Sequence, residues 1–468
     1  MINSTKPSEN LSAISEKIKN LFDQDKLNRI SKETGFIKRK SATLTPQDFL
    51  QLMTTELLKE PTLSYGGLCD CLETLNPEVS LTSQGLEERV NRTESVEYLR
   101  KIFEETLNLT IQPVYQNISS ELLNPFPRIF LQDSTQFTLN EQLAPQFRGS
   151  GGSGSKAGCK LDVVYELKSE KITQIQISKA TIPDQSRAQD FGHWIDENDL
   201  IIRDLGYFSL DALQECQNKK IYFLSRLLQC TDVYLKPDSL EPINLCHYAN
   251  SHSSNNSVIE ISAFIGKSAR IPVRLIMYRL PQSIVSRRRQ EAIKNAKKKG
   301  RTPSAEYLAL LEFTLFITNV PDSIWSKEVV GTIYRIRWQI ELRFKNWKSL
   351  LSIHILKGKK PERILCWLYG RLICLIIISE LCSWANWYAL ESKKGEISLD
   401  LTIKWFNRSG RLAQAIQQNT LSRLMEDLKK NIHRLCKPKR TRKTTRSLID
   451  SQIHYLDSFQ GGPIPENF

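Results

Sequence analysis

The sequence predicts an α/β fold between two helical regions, and three observations lead to that prediction. Residues 1 to about 120 have the pattern of helices throughout. Segments that alternate like strands follow at 128–139, 159–167 and 171–180, and their turns suit an antiparallel meander. Residues 396–436 return to the apolar spacing of helices.

After the meander, the sequence alternates helices with strands. A helix is predicted at 186–198, a strand at 200–204, a helix at 209–219 and a strand at 220–227. Three meandering strands followed by helix, strand, helix and strand is the element order of an RNase H-like domain. In that topology the first and fourth strands are neighbours.

Each of those two strands has one aspartate where its apolar residues end. Asp133 closes the apolar part of the first strand and Asp204 ends the fourth. We therefore expect the chain to turn after each carboxylate and both carboxylates to lie at one edge of the sheet. A single Asp at a strand end is usually a turn former or a helix cap, so only the pair favours a functional site.

A third carboxylate, Glu341, lies within a basic stretch at 334–348 that lacks Pro and Gly and is predicted to be one helix. At about 100° per residue, Tyr334, Arg337, Glu341 and Lys348 share a sector of about 60° beside an apolar stripe. The alternative is a solvated helix with an ordinary Arg337–Glu341 pair.

Three carboxylates that meet would form a site for two Mg²⁺ ions, because hard cations prefer oxygen ligands. Such a site can activate a water or a 3′-hydroxyl against a phosphodiester. Asp133, Asp204 and Glu341 would be the ligands, and the phosphates would be held by Tyr334, Arg337 and Lys348.

Composition supports a polyanionic partner. Lys and Arg number 65 against 51 acids, the net charge is +14 and the pI is about 9.2, which favours nucleic acid over an anionic membrane surface. The polar N-terminus lacks a secretory signal, and the apolar run 372–379 is predicted to be a buried helix, so a cytoplasmic protein is expected. The ten cysteines form no paired CxxC motif and are predicted to be reduced.

Two basic runs and one helical pair are ambiguous. The run at 287–301 is predicted to be an exposed helix, either a solvated face or a DNA-backbone contact, through Arg287, Arg288, Arg289, Lys297, Lys298 and Lys299. The tail at 437–446 is predicted to be a disordered arm that becomes ordered on DNA. Short helices at 65–75 and 82–91, the second capped by Thr82 or Ser83, suit a helix-turn-helix or an ordinary helical pair.

The spacing of Tyr334, Arg337, Glu341 and Lys348 reproduces the Tyr-Arg-Glu-Lys signature of the insertion-sequence transposases of the IS-four type, a branch of the DDE transposases. "QDST" with Asp133, "IRDLGYF" and "FITNVP" also resemble that family's blocks, in the same order, over about residues 30 to 390. The resemblance implies that the three carboxylates form the catalytic triad and bind two Mg²⁺ ions, for which Mn²⁺ substitutes.

The resemblance also implies a retroviral-integrase-like catalytic domain with a β-rich insertion. The expected order begins with a helical DNA-end-binding region at 1–120 and the first part of the catalytic domain at 121–230. The insertion follows at 231–325, then the last part of the catalytic domain with Glu341 at 326–395, and a helical C-terminal region with the basic tail at 396–468. The implied function is a bacterial DNA transposase, nucleoid-associated and dimeric on DNA, that cuts terminal inverted repeats and joins their 3′-hydroxyls to target DNA. A domesticated, non-catalytic DNA-binding protein and an RNase H-like nuclease or resolvase remain as alternatives.

Overall fold

The computed structural model describes most of the chain, namely residues 15–38, 44–108, 121–151, 155–252 and 258–437. Apart from Lys437, the basic tail predicted at 437–446 lies outside the described residues.

The described part of the N-terminal region is helical, as predicted. A helical stretch at 15–21 precedes α1 (Gln24–Glu33), α2 (Pro46–Gln51), α3 (Leu57–Lys59), α4 (Tyr65–Leu75), α5 (Ser83–Val90) and α6 (Thr93–Leu107). A π-helical segment, Leu52–Glu56, joins α2 to α3. The side chains of Ser64 and Thr82 accept hydrogen bonds from the first turns of α4 and α5, which fixes where these helices begin.

Within the described residues, nine strands form one mixed sheet. They are β1 (Ile129–Thr138), β2 (Gly158–Glu166), β3 (Lys171–Lys179), β4 (Leu200–Arg203), β5 (Tyr222–Arg226), β6 (Val233–Tyr234), β7 (Val258–Ile265), β8 (Ile271–Arg279) and β9 (Phe313–Thr318). Their order is β3-β2-β1-β4-β5-β9-β8-β7-β6. β1, β4 and β5 run parallel, and β2 pairs with β3 antiparallel. The first five positions confirm the predicted RNase H-like order.

Helix α7 (Leu210–Asn218) connects β4 to β5, as predicted. The region predicted as an insertion contains β6 to β9 together with α8 (Leu245–Ser251), α9 (Gln282–Lys298) and α10 (Ala305–Leu310). β7, β8 and β9 pair antiparallel, and β9 pairs with β5, so these strands extend the same sheet.

The last helices are α11 (Lys327–Tyr334), α12 (Trp338–Leu350), α13 (Pro361–Glu391), α14 (Leu399–Asn407), α15 (Arg411–Gln417) and α16 (Leu421–Leu435). Three predictions about local structure are wrong. The segment 186–198 is not a helix: only a 3₁₀ turn forms at Asp184–Arg187, and Gly192 then adopts φ +44°, a left-handed conformation that a helix cannot continue through.

The other two errors concern the candidate site. The chain does not turn after Asp133, because β1 continues to Thr138 with Thr135 and Phe137 buried in alternation. The stretch 334–348 is not one regular helix either. A 3₁₀ turn, Arg335–Arg337, separates α11 from α12, and the apolar stripe through this stretch is nevertheless buried.

Among the described residues, α13 is the one helix long and apolar enough to cross a membrane, and 78% of its apolar window is buried inside the protein. Two contacts explain that burial. A Cβ on Gly370 would lie 1.9 Å from the carbonyl oxygen of Met53, so the backbones meet directly. The buried Arg371 guanidinium donates to the carbonyls of Ser352, Ile355 and Pro61. The prediction of a buried helix at 372–379 is confirmed.

The chain divides into two compact units that interleave along the sequence. Of the described residues, the first comprises 15–38, 44–108, 134–151, 155–182 and 341–437, and the second comprises 121–133, 183–252 and 258–340. In the first unit, α13 packs against α6 and the π-helical segment. The second unit contains β4 to β9 and α7 to α11. The contiguous domain boundaries expected from the sequence remain a prediction.

Candidate active site

Asp133 lies within β1, and Asp204 directly follows the neighbouring parallel strand β4. The register pairs Gln132 of β1 with Arg203 of β4, and the two aspartates are the residues that come next. The Asp133 side chain is 15% exposed and that of Asp204 is 42% exposed, so solvent reaches Asp204 more than Asp133. The predicted adjacency of the two strands is confirmed.

A polar contact that the sequence analysis did not identify fixes this register. Arg203 Nε donates to Gln132 Oε1 at 2.8 Å, and the Arg203 guanidinium lies 4.9 Å from the ring centre of Phe191. Each of these two polar residues interrupts an apolar strand directly before an aspartate. That interruption is the feature of the sequence from which a functional contact could have been predicted. Asp204 begins the 3₁₀ turn Leu205–Tyr207, but its side chain does not cap that turn. Its carboxylate is therefore not explained by capping.

Tyr334 connects the core of the second unit to Asp204. Its hydroxyl donates to Asp204 Oδ1 at 3.1 Å, and its ring centre lies 4.9 Å from that of Phe316. The residue is only 8% exposed, and burial raises the pKa of its phenol well above the usual value. Tyr334 therefore remains a protonated hydrogen-bond donor at physiological pH.

Arg337 places a guanidinium against both aspartates. Its Nη1 lies 2.9 Å from Asp133 Oδ2 and its Nε lies 4.0 Å from Asp204 Oδ1. The 3₁₀ turn accounts for this placement, because side chains three residues apart align in a 3₁₀ helix. Arg337 accordingly lies beside Tyr334, with its guanidinium carbon 5.8 Å from the ring centre.

Lys348 and Glu341 belong to the first unit. Lys348 Nζ donates to the carbonyl oxygen of Gln136, three residues after Asp133 on β1, at 3.2 Å. Burial lowers the pKa of Lys348. Glu341 lies half-buried in the first turn of α12. The structure thus brings Asp133, Asp204, Tyr334 and Arg337 together, and the role of Glu341 stays a prediction.

The donor chemistry fits a hard divalent cation. Carboxylate oxygens are the ligands that Mg²⁺ and Mn²⁺ prefer, and they are offered here by Asp133 within β1 and by Asp204 directly after β4. The ten cysteines are free thiols, as predicted, and seven of them are buried. Within the described ranges, no three His, Cys, Asp or Glu side chains are placed to hold a metal ion. Two aspartates alone would supply only part of the oxygen ligands that such an ion takes.

The basic run on α9 separates into two groups. Arg288 and Arg289 are half-buried: Arg288 donates to the Phe313 carbonyl at 3.4 Å, and Arg289 contacts the Leu308 carbonyl at 2.9 Å and Glu312 at 2.8 Å. Burial lowers the pKa of Arg288. These two side chains fasten α9 to β9 and α10. Of the six residues proposed as DNA contacts, the exposed ones are Arg287, Lys297, Lys298 and Lys299.

The chain is similar to known proteins over most of its length. The family model for the transposase DDE domain matches residues 124–377, more than half of the chain. The chain is 32% identical over 427 residues to the transposase for insertion sequence element IS231B of Bacillus thuringiensis subsp. berliner, covering 86% of this chain and 88% of that protein. It is 30% identical over 405 residues to the transposase for insertion sequence element IS1151 of Clostridium perfringens, covering 83% and 84%. With the signature around Glu341 and the RNase H-like strand order, these matches show that the chain belongs to the DDE transposase family.

Proposed function

We propose that the chain is the transposase of an insertion sequence, which binds the terminal inverted repeats of its element, cuts at the ends and joins the released 3′-hydroxyls to target DNA. The observation that carries this proposal is the pair of Asp133 and Asp204 on adjacent strands, contacted by Tyr334 and Arg337. The proposal is supported by relatives that are named as transposases for insertion sequences.

Asp133, Asp204 and Glu341 would hold two Mg²⁺ ions, with Mn²⁺ as a substitute. When bound, these ions supply Lewis acidity that activates a water or a 3′-hydroxyl and stabilises the leaving oxygen. Tyr334 keeps one oxygen of Asp204 oriented through its hydrogen bond. Arg337 and Lys348 offer cations to the phosphates of the strand being cut.

DNA away from the cut would be bound by charge and by base contacts. The exposed Arg287, Lys297 and Lys298 of α9 and Lys299, which directly follows the helix, neutralise backbone phosphates, while Arg288 and Arg289 hold that helix in place. The N-terminal helices, residues 1–120, read the sequence of the ends. A homodimer pairs the two ends, and the protein acts at the bacterial nucleoid without a membrane.

The triad is tested by three shape-preserving substitutions, Asp133→Asn, Asp204→Asn and Glu341→Gln. Each weakens the charge that holds the metal, so each should abolish Mg²⁺-dependent cleavage and strand transfer while end binding and folding persist. Asp211→Asn and Glu328→Gln are matched controls, because both acids are exposed in the second unit. Cleavage is followed on a duplex with an inverted-repeat end.

Three results would contradict the proposal. If one triad variant cuts at nearly the wild-type rate, or if the controls are as inactive as the triad, the assignment of the three carboxylates is wrong. End binding by the wild type without any cleavage would indicate a non-catalytic DNA-binding protein. Cleavage without strand transfer or end preference would indicate a nuclease or resolvase.

A further inference from the structure

The aspartate pair already has a cation in the DNA-free chain. Arg337 forms an ion pair with Asp133 at 2.9 Å, and the two side chains are only 16% and 15% exposed. The same guanidinium lies 4.0 Å from Asp204. Two neighbouring carboxylates repel each other unless a positive charge lies between or beside them, so Arg337 stabilises the pair.

Arg337 and a divalent cation compete for the same site. A guanidinium N–H occupies a carboxylate lone pair that a metal ion would otherwise use. Its positive charge also opposes the approach of a second cation, and screening by solvent is weak because the contact is largely buried. A metal ion can therefore bind Asp133 well only if Arg337 moves away.

Arg337 has a second partner in the proposed function, a DNA phosphate. If the Arg337 guanidinium moves away from the carboxylates to contact a phosphate, it no longer neutralises Asp133. Two features permit such a movement: Arg337 ends a three-residue 3₁₀ turn between two helices, and Tyr334 continues to hold Asp204 through a separate hydrogen bond. The carboxylates can therefore stay in place while the cation leaves.

We propose that Arg337 is an internal counter-ion that keeps the Asp133–Asp204 pair from binding a divalent cation until a DNA phosphate draws its guanidinium away. This inference rests on the proposed function, since it takes the aspartates as metal ligands. Because DNA releases the competitor of the metal, DNA and metal bind cooperatively, and each strengthens the other by the same factor. The consequence is that the protein cannot load metal efficiently before it has found DNA.

The test measures binding of Mn²⁺ to the full-length protein by electron paramagnetic resonance, and it does not depend on cleavage. In the absence of DNA, Arg337→Gln should raise the Mn²⁺ affinity about tenfold over the wild type, within the usual range of coupling between sites. Adding an inverted-repeat duplex should raise the affinity of the wild type by a similar factor and change that of Arg337→Gln little. The same duplex with Asp133→Asn protein measures Mn²⁺ held by the DNA itself.

Two further variants sharpen the result. Lys345→Gln removes the same charge from an exposed position on α12 and should leave the Mn²⁺ affinity unchanged. Arg337→Lys keeps the charge but lacks the planar guanidinium, so the Mn²⁺ affinity of this variant should lie between those of the wild type and Arg337→Gln. This measurement remains informative if Arg337→Gln folds poorly.

The inference is overturned if Arg337→Gln and the wild type bind Mn²⁺ equally without DNA, or if DNA leaves the wild-type affinity unchanged. It is also overturned if Lys345→Gln gains as much affinity as Arg337→Gln, because the effect would then be one of net charge. The outcome for the proposed function is separate: if Asp133→Asn binds Mn²⁺ like the wild type, the metal assignment itself fails.

Discussion

Tyr334 links core packing to the proposed chemistry through a single side chain. Its ring contributes to the core beside Phe316, and its hydroxyl orients an oxygen of Asp204. Burial raises the pKa of the phenol in the folded chain, so its contribution to stability is fully present below the ordinary tyrosine value of about 10. That contribution is lost as the pH rises beyond it. Across neutral pH the hydrogen bond to Asp204 is constant.

Substituting Tyr334→Phe tests that hydrogen bond. The ring and its packing remain while one hydrogen bond to a carboxylate disappears, and such bonds contribute about 1.5–3 kcal/mol. We expect the rate of Mg²⁺-dependent cleavage to fall about tenfold or more, while the chain still folds and its thermal unfolding midpoint falls by a few degrees. Tyr307→Phe removes an equivalent hydroxyl from an exposed ring of the second unit and serves as the control. A cleavage rate unchanged in Tyr334→Phe would show that Asp204 needs no such support.

The sequence could single out candidate residues here but not how they are arranged. The spacing around Glu341 singled out four candidates, because a spacing pattern depends only on residue types, and their roles stay predictions. Nothing in Arg335-Ile336-Arg337 breaks a helix, so the 3₁₀ turn could not be predicted from local propensity. The turn accompanies the contacts of Tyr334 and Arg337 with aspartates that are distant in the chain, and such contacts override propensity.

At the scale of elements, α9 shows that one basic run can contain two kinds of residue. The helix is 17 residues long and is fastened by half-buried arginines, while its basic end is exposed. The sequence predicted the helix and its charge but could not separate the two groups. That distinction depends on the carbonyls of β9 and α10, which the fold brings to one flank of the helix.

The exposed group is tested with a quadruple variant, Arg287→Gln, Lys297→Gln, Lys298→Gln and Lys299→Gln. Each phosphate that the variant no longer neutralises should reduce the slope of log affinity against log salt by about 0.9, equally for end and random duplex, because phosphate contacts carry no base information. Fluorescence anisotropy at several salt concentrations gives the slope. Arg289→Gln is the matched comparison, and it should lower the thermal stability and change the slope less. An unchanged slope in the quadruple variant would identify the run as a solvated face.

At the scale of the whole molecule, parts of the chain that are distant in sequence share the core of the first unit. Phe103 of α6 and Tyr369 of α13 have ring centres 5.5 Å apart, and Arg371 of α13 binds the carbonyl of Pro61. Period and propensity describe segments one at a time, so they predicted that these segments are helical but could not predict that α13 packs against the N-terminal helices. An isolated N-terminal fragment would lack this partner. Recognition of DNA ends is therefore best tested in the full chain.

Helices α4 and α5 offer a test of where the protein reads the sequence of the DNA ends. The exposed face of α5 carries Gln84, Glu87 and Glu88, and its apolar Leu86 and Val90 are buried. If α5 reads bases in the major groove, these side chains have suitable partners, since Gln pairs with adenine and Glu accepts from cytosine. Their replacement by alanine should then cost about 1–3 kcal/mol for each base that is no longer read, which lowers the preference for the inverted-repeat end about tenfold or more.

The triple alanine variant of Gln84, Glu87 and Glu88 also removes negative charge, so its binding to DNA of unrelated sequence should change in the opposite direction to its end preference. Removing two carboxylates from a face that meets DNA should strengthen binding to a scrambled duplex, because repulsion from the phosphates falls. Competition binding of the full-length protein to end and scrambled duplexes at one salt concentration measures both effects. Alanine at the exposed Glu391, at the end of α13, is the control for removal of an acid. If end preference is retained while scrambled binding is unchanged, α4 and α5 form an ordinary helical pair and another surface reads the ends.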